Sequence, residues 1–174
     1  TTLSLEDKIK SIVNPYKRWA LSALALGVLI YIFPPLFGEG YHALESLLTG
    51  NPVQGLDNSL FASLLNYKWF IPVFFAFVLI FKVFAMSFTN AGGGVGGTFG
   101  PTLIVGGIAG FILARVINLT GIHILPENNF VLVGMAGLMA GVMQAPMTAI
   151  FLIAEITGGY ELLMPLSITA AISF

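Results

Sequence analysis

The sequence predicts an all-α membrane protein built from several short, tilted and broken transmembrane helices. Hydrophobic residues make up 57% of the 174 residues and charged residues only 9%, whereas a soluble domain carries about 25% charge. Apolar runs follow one another along the chain, and glycine or proline interrupts them repeatedly. Irregular backbone at membrane depth is tolerated only where it lines a site or is buried in protein. The interruptions therefore indicate a site inside the bilayer.

Charge and cysteine content exclude several classes of function. The formal net charge is −1 and no basic stripe is present, so no nucleic-acid partner is expected. Cysteine is absent. Disulfides, thiolate metal sites and cysteine nucleophiles are therefore excluded.

Residues 1–18 are predicted to form a polar lead-in on the cytoplasmic side. They contain four of the seven Lys and Arg residues, and positive charge next to an apolar segment favours that side. A solvated helix end without topological meaning is the alternative. The chain begins abruptly and ends within an apolar segment, so we expect residues 1–174 to be an incomplete part of one transmembrane domain.

The first apolar helix is predicted over residues 19–33, where Pro34 and Pro35 end it. Its fifteen residues are fewer than the roughly 20 that a straight membrane span needs. Glycines and a proline then bracket a short helical segment, Tyr41 to Leu48.

Three titratable residues around this short helix share one predicted face: Glu39, His42 and Glu45. Their three-residue spacing would permit metal ligation. A polar face near the membrane surface is the commoner explanation of such a pattern, and no metal site is predicted.

Residues 69–88 are long and apolar enough to cross a membrane. Lys82 lies inside this run. A lysine in lipid is a functional candidate, and the alternative is a side chain that snorkels to the membrane surface or a helix that ends near water. We favour the second interpretation.

A glycine-rich stretch, residues 91–101, follows this helix and contains six glycines. Glycines cannot fill a core, but they allow backbone to approach another group closely. Pro101 suits the first turn of a new helix over residues 101–117. The start of a helix presents unpaired N–H groups and a partial positive charge, which together favour an anion site built from backbone.

Polar residues mark the end of this helix and the start of the next. Arg115 would complement the helix dipole. Asn118 and Thr120 complete a glycosylation triplet that we interpret as a loop. Asn128 or Asn129 is expected to cap the following helix.

The remaining chain is predicted as three short helices over residues 130–143, 147–156 and 162–174. Gln144 to Pro146 form the first interruption, and Gly158 with Gly159 form the second. Short interrupted segments of this kind point to the binding region of a transporter. Glu155 lies in the middle segment as a candidate for proton relay or cation binding, and we favour a structural role near the helix end.

The chain is not expected to be an enzyme or to bind a cofactor. Gly92, Gly94 and Gly97 formally match a dinucleotide fingerprint, but an apolar helix precedes them and no acidic residue follows at the required distance. The two histidines, His42 and His123, lie in separate parts of the chain without a paired nucleophile.

Two motifs resemble those of the CLC chloride channel and chloride/proton exchanger family. Gly97-Thr98-Phe99-Gly100-Pro101 is similar to the GxFxP signature, and its glycine-rich lead-in also matches. Residues 145–157 together with 160–165 resemble the later AP-T…E-T…Y…P pattern of the family. The resemblance covers nearly the whole chain.

The family's GSGIP and GREGP motifs, which belong to its first, inverted repeat, do not occur in this sequence, and neither does the helix bearing the pore tyrosine. The resemblance therefore implies most of the second repeat, a CLC-like half of an inverted repeat. The gating glutamate lies outside the sequence, so channel and exchanger are not distinguished.

The resemblance implies that chloride is the transported ion, held by main-chain N–H groups of Thr98 and Phe99. Gly97, Gly100 and Pro101 would complete the anion site, with Pro101 setting the helix direction. It also implies a homodimer through residues 147–174, a missing first half of the same polypeptide, and a location in the bilayer, taken here as the plasma (inner) membrane of a prokaryote. The alternatives are a packing hinge without an ion, an unrelated transporter of organic anions, and a non-transporting membrane scaffold.

Overall fold

A computed structural model describes residues 14–38, 40–52, 69–94, 97–121, 123–158 and 160–174. Within these ranges the chain forms seven α-helices, a 3-10 turn and no β-strand, which confirms the all-α prediction. The helices are α1 Pro15–Ile32, α2 Tyr41–Leu48, α3 Phe70–Gly92, α4 Phe99–Thr120, α5 Glu127–Met143, α6 Pro146–Thr157 and α7 Leu163–Ser173, and the 3-10 turn Pro34–Leu36 joins α1 to α2.

Two helices are apolar and long enough to cross a membrane, and three others are too short for a full span. The long ones are α3 with 23 residues and α4 with 22. The short ones are α5, α6 and α7, with 17, 12 and 11 residues. Breaks after Met143 and at Gly158 separate them, as predicted. The pattern of short and broken helices is therefore confirmed.

Helix α1 begins earlier than predicted. Its first residue is Pro15 rather than Trp19, because the Asn14 side chain accepts a hydrogen bond from the Tyr16 N–H at 3.1 Å and proline is tolerated at the first helical position. Residues 1–13 of the predicted lead-in lie outside the described residues. The helix ends at Ile32, one residue before the predicted end, and Pro34 follows it as expected for a stop.

The connection between α4 and α5 corrects one sequence-based prediction. Asn118 to Thr120 are not a loop: they form the last turn of α4, which ends where Gly121 adopts a φ of +73°. The Asn118 side chain accepts a hydrogen bond from the Leu125 N–H at 2.7 Å and donates one to the Leu125 carbonyl at 3.0 Å. The triplet is thus explained by a role in closing the interhelical turn.

The start of α5 corrects a second prediction. The helix begins at Glu127, directly after Pro126, and neither Asn128 nor Asn129 caps it. A carboxylate in the first turn is favoured by the helix dipole. The Glu127 carboxylate also accepts a hydrogen bond from Arg115 of α4 at 3.0 Å. Arg115 therefore joins two helices in addition to lying near its own helix end.

Helices α4 and α5 cross at three glycines. A Cβ atom placed on Gly106 would lie 2.5 Å from the carbonyl oxygen of Gly134, and one on Gly110 would meet the carbonyl of Phe130. Small residues allow this close approach, which is how helices associate strongly in a membrane. The crossing fixes the axis of α4, the helix that carries the GxFxP-like motif at its start.

Helix α5 is the centre of the packing. It contacts α2, α4, α6 and α7, and its Val131, Met135 and Met139 side chains are fully buried. Helix α3 is held by aromatic rings: Phe75 meets Phe111 of α4 edge to face, with ring centroids 5.4 Å apart. The α4 start is thereby positioned between α3 on one side and the end of α5 on the other.

Candidate functional site

The start of α4 offers backbone donors without intrahelical partners. Thr98 is the residue before the helix, and Phe99 is its first residue. The first backbone hydrogen bond of the helix runs from the Thr102 N–H to the Thr98 carbonyl at 3.1 Å. None of the hydrogen bonds among the described residues uses the N–H groups of Thr98, Phe99 or Gly100, and Pro101 carries none. Such a helix start is able to hold an anion.

The predicted site residues form one continuous segment that is open on one side. Gly97 and Thr98 are exposed and Phe99 is 38% exposed, whereas Gly100 is buried against the fold. Val95 and Gly96 lie outside the described residues. The glycine stretch is shorter than predicted, because α3 continues to Gly92 rather than ending at Phe88.

The Thr98 hydroxyl is directed to another helix. It donates a hydrogen bond to the Met143 sulfur, 3.7 Å away at the end of α5. The next residue, Gln144, has a φ of +53°, which non-glycine residues adopt rarely. The predicted interruption between α5 and α6 therefore lies beside the start of α4. Because the hydroxyl is engaged there, the backbone of Thr98 is the part that remains for a ligand.

Lys82 of α3 is buried, and snorkelling to the surface is the wrong interpretation. The residue is only 5% exposed. The ammonium group donates to the carbonyl oxygens of Gly38 at 2.9 Å and Leu36 at 3.4 Å. These carbonyls end the turn between α1 and α2. The lysine thus joins the middle of a membrane-length helix to an irregular segment.

Two cavities adjoin the start of α4. The larger, about 330 Å³, is lined by α1, the 36–38 turn, α3 and the motif residues Gly97 and Pro101. The smaller, about 250 Å³, lies between α3, α4 and Leu138 of α5. Lys82 and Pro101 line both. The buried lysine and the motif therefore share one space.

Sequence reasoning missed the polar face of α3 that lines this space. Asn90 lines both cavities, as does Met86 between it and Lys82. The three residues are spaced four apart, which places them on one helical face. The four-residue spacing was the sequence signal for this face, because it places Lys82 on the same side of an otherwise apolar helix as Asn90.

The other titratable candidates are not brought to this site. His42 and Glu45 are exposed on α2, and Glu39 lies outside the described residues. The described ranges contain no group of three His, Asp or Glu side chains placed to hold a metal. Glu155 is exposed near the end of α6, where its carbonyl, rather than its carboxylate, accepts the hydrogen bond from Gly158 that closes the helix.

The sequence of this chain is similar to those of known proteins. The family described as "Voltage gated chloride channel" matches residues 1–174. The chain is 29% identical over 177 residues to the voltage-gated ClC-type chloride channel ClcB of Salmonella typhi, covering 99% of this chain and 37% of that protein. It is 30% identical over 164 residues to ClcB of Escherichia coli O6:H1, covering 91% and 34%.

A plant relative is also similar. Chloride channel protein CLC-e of Arabidopsis thaliana is 29% identical over 157 residues, covering 84% of this chain and 20% of that protein. The chain thus spans between a fifth and two fifths of the length of these relatives. The match over its full length, together with the helix-start motif and the broken helices around it, establishes that the chain is an integral membrane segment belonging to the CLC voltage-gated chloride channel family.

Proposed function

We propose that the chain is part of a chloride-transporting membrane protein and contributes main-chain N–H groups of Thr98 and Phe99 to the anion site. The observation that carries the proposal is the start of α4, where backbone donors lack intrahelical partners and belong to exposed residues. Gly97, Gly100 and Pro101 complete the segment. The names of the relatives, all chloride channels, support transport rather than catalysis.

Backbone donors suit an ion that must also leave. A helix start attracts an anion through oriented N–H groups and a partial positive charge. Conduction requires binding strong enough for entry and weak enough for release. The segment 97–101 contains no Lys or Arg, so no full opposing charge from this segment would trap chloride there.

The proposed polypeptide is longer than residues 1–174. The bacterial relatives are nearly three times as long as the part matched here, and Thr98 and Phe99 are open on one side. A second half, with its own helix start, would close that side, as in transporters built from inverted repeats. The bacterial relatives also favour a prokaryotic plasma membrane as the location.

Removing one backbone donor should weaken anion binding, whereas removing the neighbouring hydroxyl should not. In the complete polypeptide, Phe99→Pro deletes an N–H at a helix position where proline is tolerated. We expect bromide or chloride affinity to fall about 10- to 100-fold, the loss of one hydrogen bond to a charged group. Titration of chloride by isothermal calorimetry would measure the change, and bromide density beside these amides would locate the ion.

Two matched variants separate the backbone from the side chains. Phe99→Ala removes the ring but keeps the N–H, and Thr98→Ala removes the hydroxyl that donates to Met143. Both should retain affinity within about threefold, because neither deletes a backbone donor. Equal losses in Phe99→Pro and Phe99→Ala, or bromide density elsewhere, would show that the site assignment is wrong.

We also propose a homodimer through residues 147–174. Helix α7 exposes a stripe of large apolar side chains spaced four apart, Met164, Ile168 and Ile172. Met147 and Phe151 of α6 extend the exposed surface. In a membrane such a face contacts either lipid or a second subunit, and its small and aliphatic residues suit close packing.

A polar residue in the α7 stripe should convert dimers to monomers. Ile168→Asn places an amide at the proposed interface, where a partner side chain would bury it without a matched hydrogen bond. Gel filtration with light scattering in detergent would measure the mass. Leu113→Asn on α4 is the control, since Leu113 is 52% exposed and Ile168 is 54% exposed. A dimer that survives Ile168→Asn would place the interface elsewhere.

A further inference from the structure

The hydrogen bonds of Lys82 connect groups that all border one cavity. Its ammonium group donates to the carbonyl oxygens of Leu36 and Gly38. Leu36, Gly38 and Lys82 each line the 330 Å³ cavity, and so do Gly97 and Pro101 of the motif. The residues that donate and accept these hydrogen bonds therefore line the same cavity as the residues at the start of α4.

Carbonyl oxygens on that wall would oppose an anion. A carbonyl carries partial negative charge, and in a low-dielectric interior an unpaired one acts on a nearby ion with little screening. The 3-10 turn closes with a hydrogen bond to the Pro34 carbonyl, whereas the Leu36 carbonyl lies at its end and the Gly38 carbonyl lies two residues beyond it. A cation bonded to both is the arrangement that cancels their field and satisfies them at the same time.

The surroundings hold the ammonium group in place. Gly40 has a φ of +86°, and a Cβ added there would lie 3.1 Å from the Pro35 carbonyl oxygen and 3.5 Å from the Lys82 nitrogen. Only glycine fits this conformation and this space without strain. The turn is therefore closely folded around the lysine head.

We propose that Lys82 is a positioning residue for the anion site. It holds the 36–38 turn so that its carbonyl oxygens are bonded to a cation, and the cavity beside the start of α4 then admits an anion. This inference rests on the proposed chloride function, and it adds a residue of α3 to a site otherwise made from the 97–101 segment. The lysine does not need to touch the ion: it sets the polarity of the wall that the ion meets.

The test compares Lys82→Met, Lys82→Arg and the control Ile80→Leu in the complete polypeptide in liposomes. Ile80 lies on the same helix, is 51% exposed and lines neither cavity, so its variant reports on a change in α3 away from the site. Chloride flux is measured against chloride concentration, which gives a half-saturating concentration and a maximal rate. Gel filtration and thermal unfolding report the folded fraction.

We expect Lys82→Met to raise the half-saturating chloride concentration about tenfold, the change that accompanies loss of one charged interaction. Lys82→Arg should restore it to within about threefold, because arginine keeps both the charge and the donors. Ile80→Leu should leave the half-saturating chloride concentration unchanged. A purely structural lysine would instead lower the folded fraction and the maximal rate with the half-saturating concentration unaltered, and that result would overturn the inference.

A further variant covers the case in which Lys82→Met does not fold. Lys82→Gln keeps an N–H donor for the turn but lacks the charge, so it should fold and still raise the half-saturating concentration. A wild-type value in folded Lys82→Gln would overturn the inference while leaving the chloride function intact. Absence of flux in the wild-type polypeptide would instead reject the proposed function, and the inference with it.

Discussion

Replacing Gly110 by leucine should separate α4 from α5 and displace the start of α4, where the anion site is proposed. A Cβ atom at this position would meet the Phe130 carbonyl oxygen and lie 3.3 Å from the Cα of Gly134. The obstacles are backbone atoms, which cannot rotate away as a side chain can. Overpacking typically costs about 1–3 kcal/mol and sometimes more, and we expect the upper end here because the two helices must move apart.

The effect should be large because α5 is the centre of the packing. Helices associate in a membrane through close van der Waals contact rather than through exclusion of water, so a lost close approach is not replaced. Displacement of α4 would also break the bond between Thr98 and Met143 and shift the motif away from Lys82. Both the fold and the site therefore depend on this crossing.

Thermal unfolding and gel filtration in detergent would measure the effect, with Gly27→Leu as the matched control. A Cβ atom on Gly27 of α1 would have nothing within 4 Å, so the same substitution there should leave the protein folded. A Gly110→Leu protein as stable as Gly27→Leu would show that α4 and α5 do not cross closely at this point.

The helices themselves were predictable because their signals are local. Pro34 ends α1, and Gln144 with Pro146 separates α5 from α6, since proline removes a donor and restricts the residue before it. Tyr41–Leu48 matches α2 without change. In each case the residues that begin or end the element lie within it or beside it.

The misplaced boundaries depend on contacts that a linear pattern does not contain. Asn118 is helical because Leu125, seven residues later, folds back onto its side chain. Neither Asn128 nor Asn129 is needed as a cap, since Pro126 and the Arg115–Glu127 pair define the start of α5. An asparagine is compatible with a loop, a cap or a bridge, and only the fold selects among them.

Lys82 illustrates the same limit at the candidate site. Its apolar neighbours in sequence permit snorkelling or burial, and the outcome is decided by carbonyls of Leu36 and Gly38, more than forty residues earlier. The motif from Gly97 to Pro101 was easier to recognise from the sequence, because the donors of a glycine-rich helix start are backbone groups and do not depend on distant side chains. Its role as an anion site stays a prediction.

Residues 1–174 reconstituted alone should carry no chloride. The N–H groups of Thr98 and Phe99 would contact the ion from one side only, and the exposed faces of Gly97, Thr98 and Phe99 leave the opposite side to lipid or another chain. Moving an ion out of water without replacing its contacts is strongly unfavourable, and lipid offers no hydrogen bonds to exposed backbone.

Flux should appear only when a second half supplies the missing contacts, since a pathway between two repeats needs helix ends from both. Liposomes containing the 174-residue chain, with and without the co-expressed remainder of the polypeptide, would be assayed for chloride efflux. The matched control is co-expression with a remainder that carries a proline at the helix start of the first repeat. This control should show no chloride efflux. Chloride efflux from the chain by itself, above that of empty liposomes, would mean that one side of donors suffices and that the proposed division of the site between two halves is wrong.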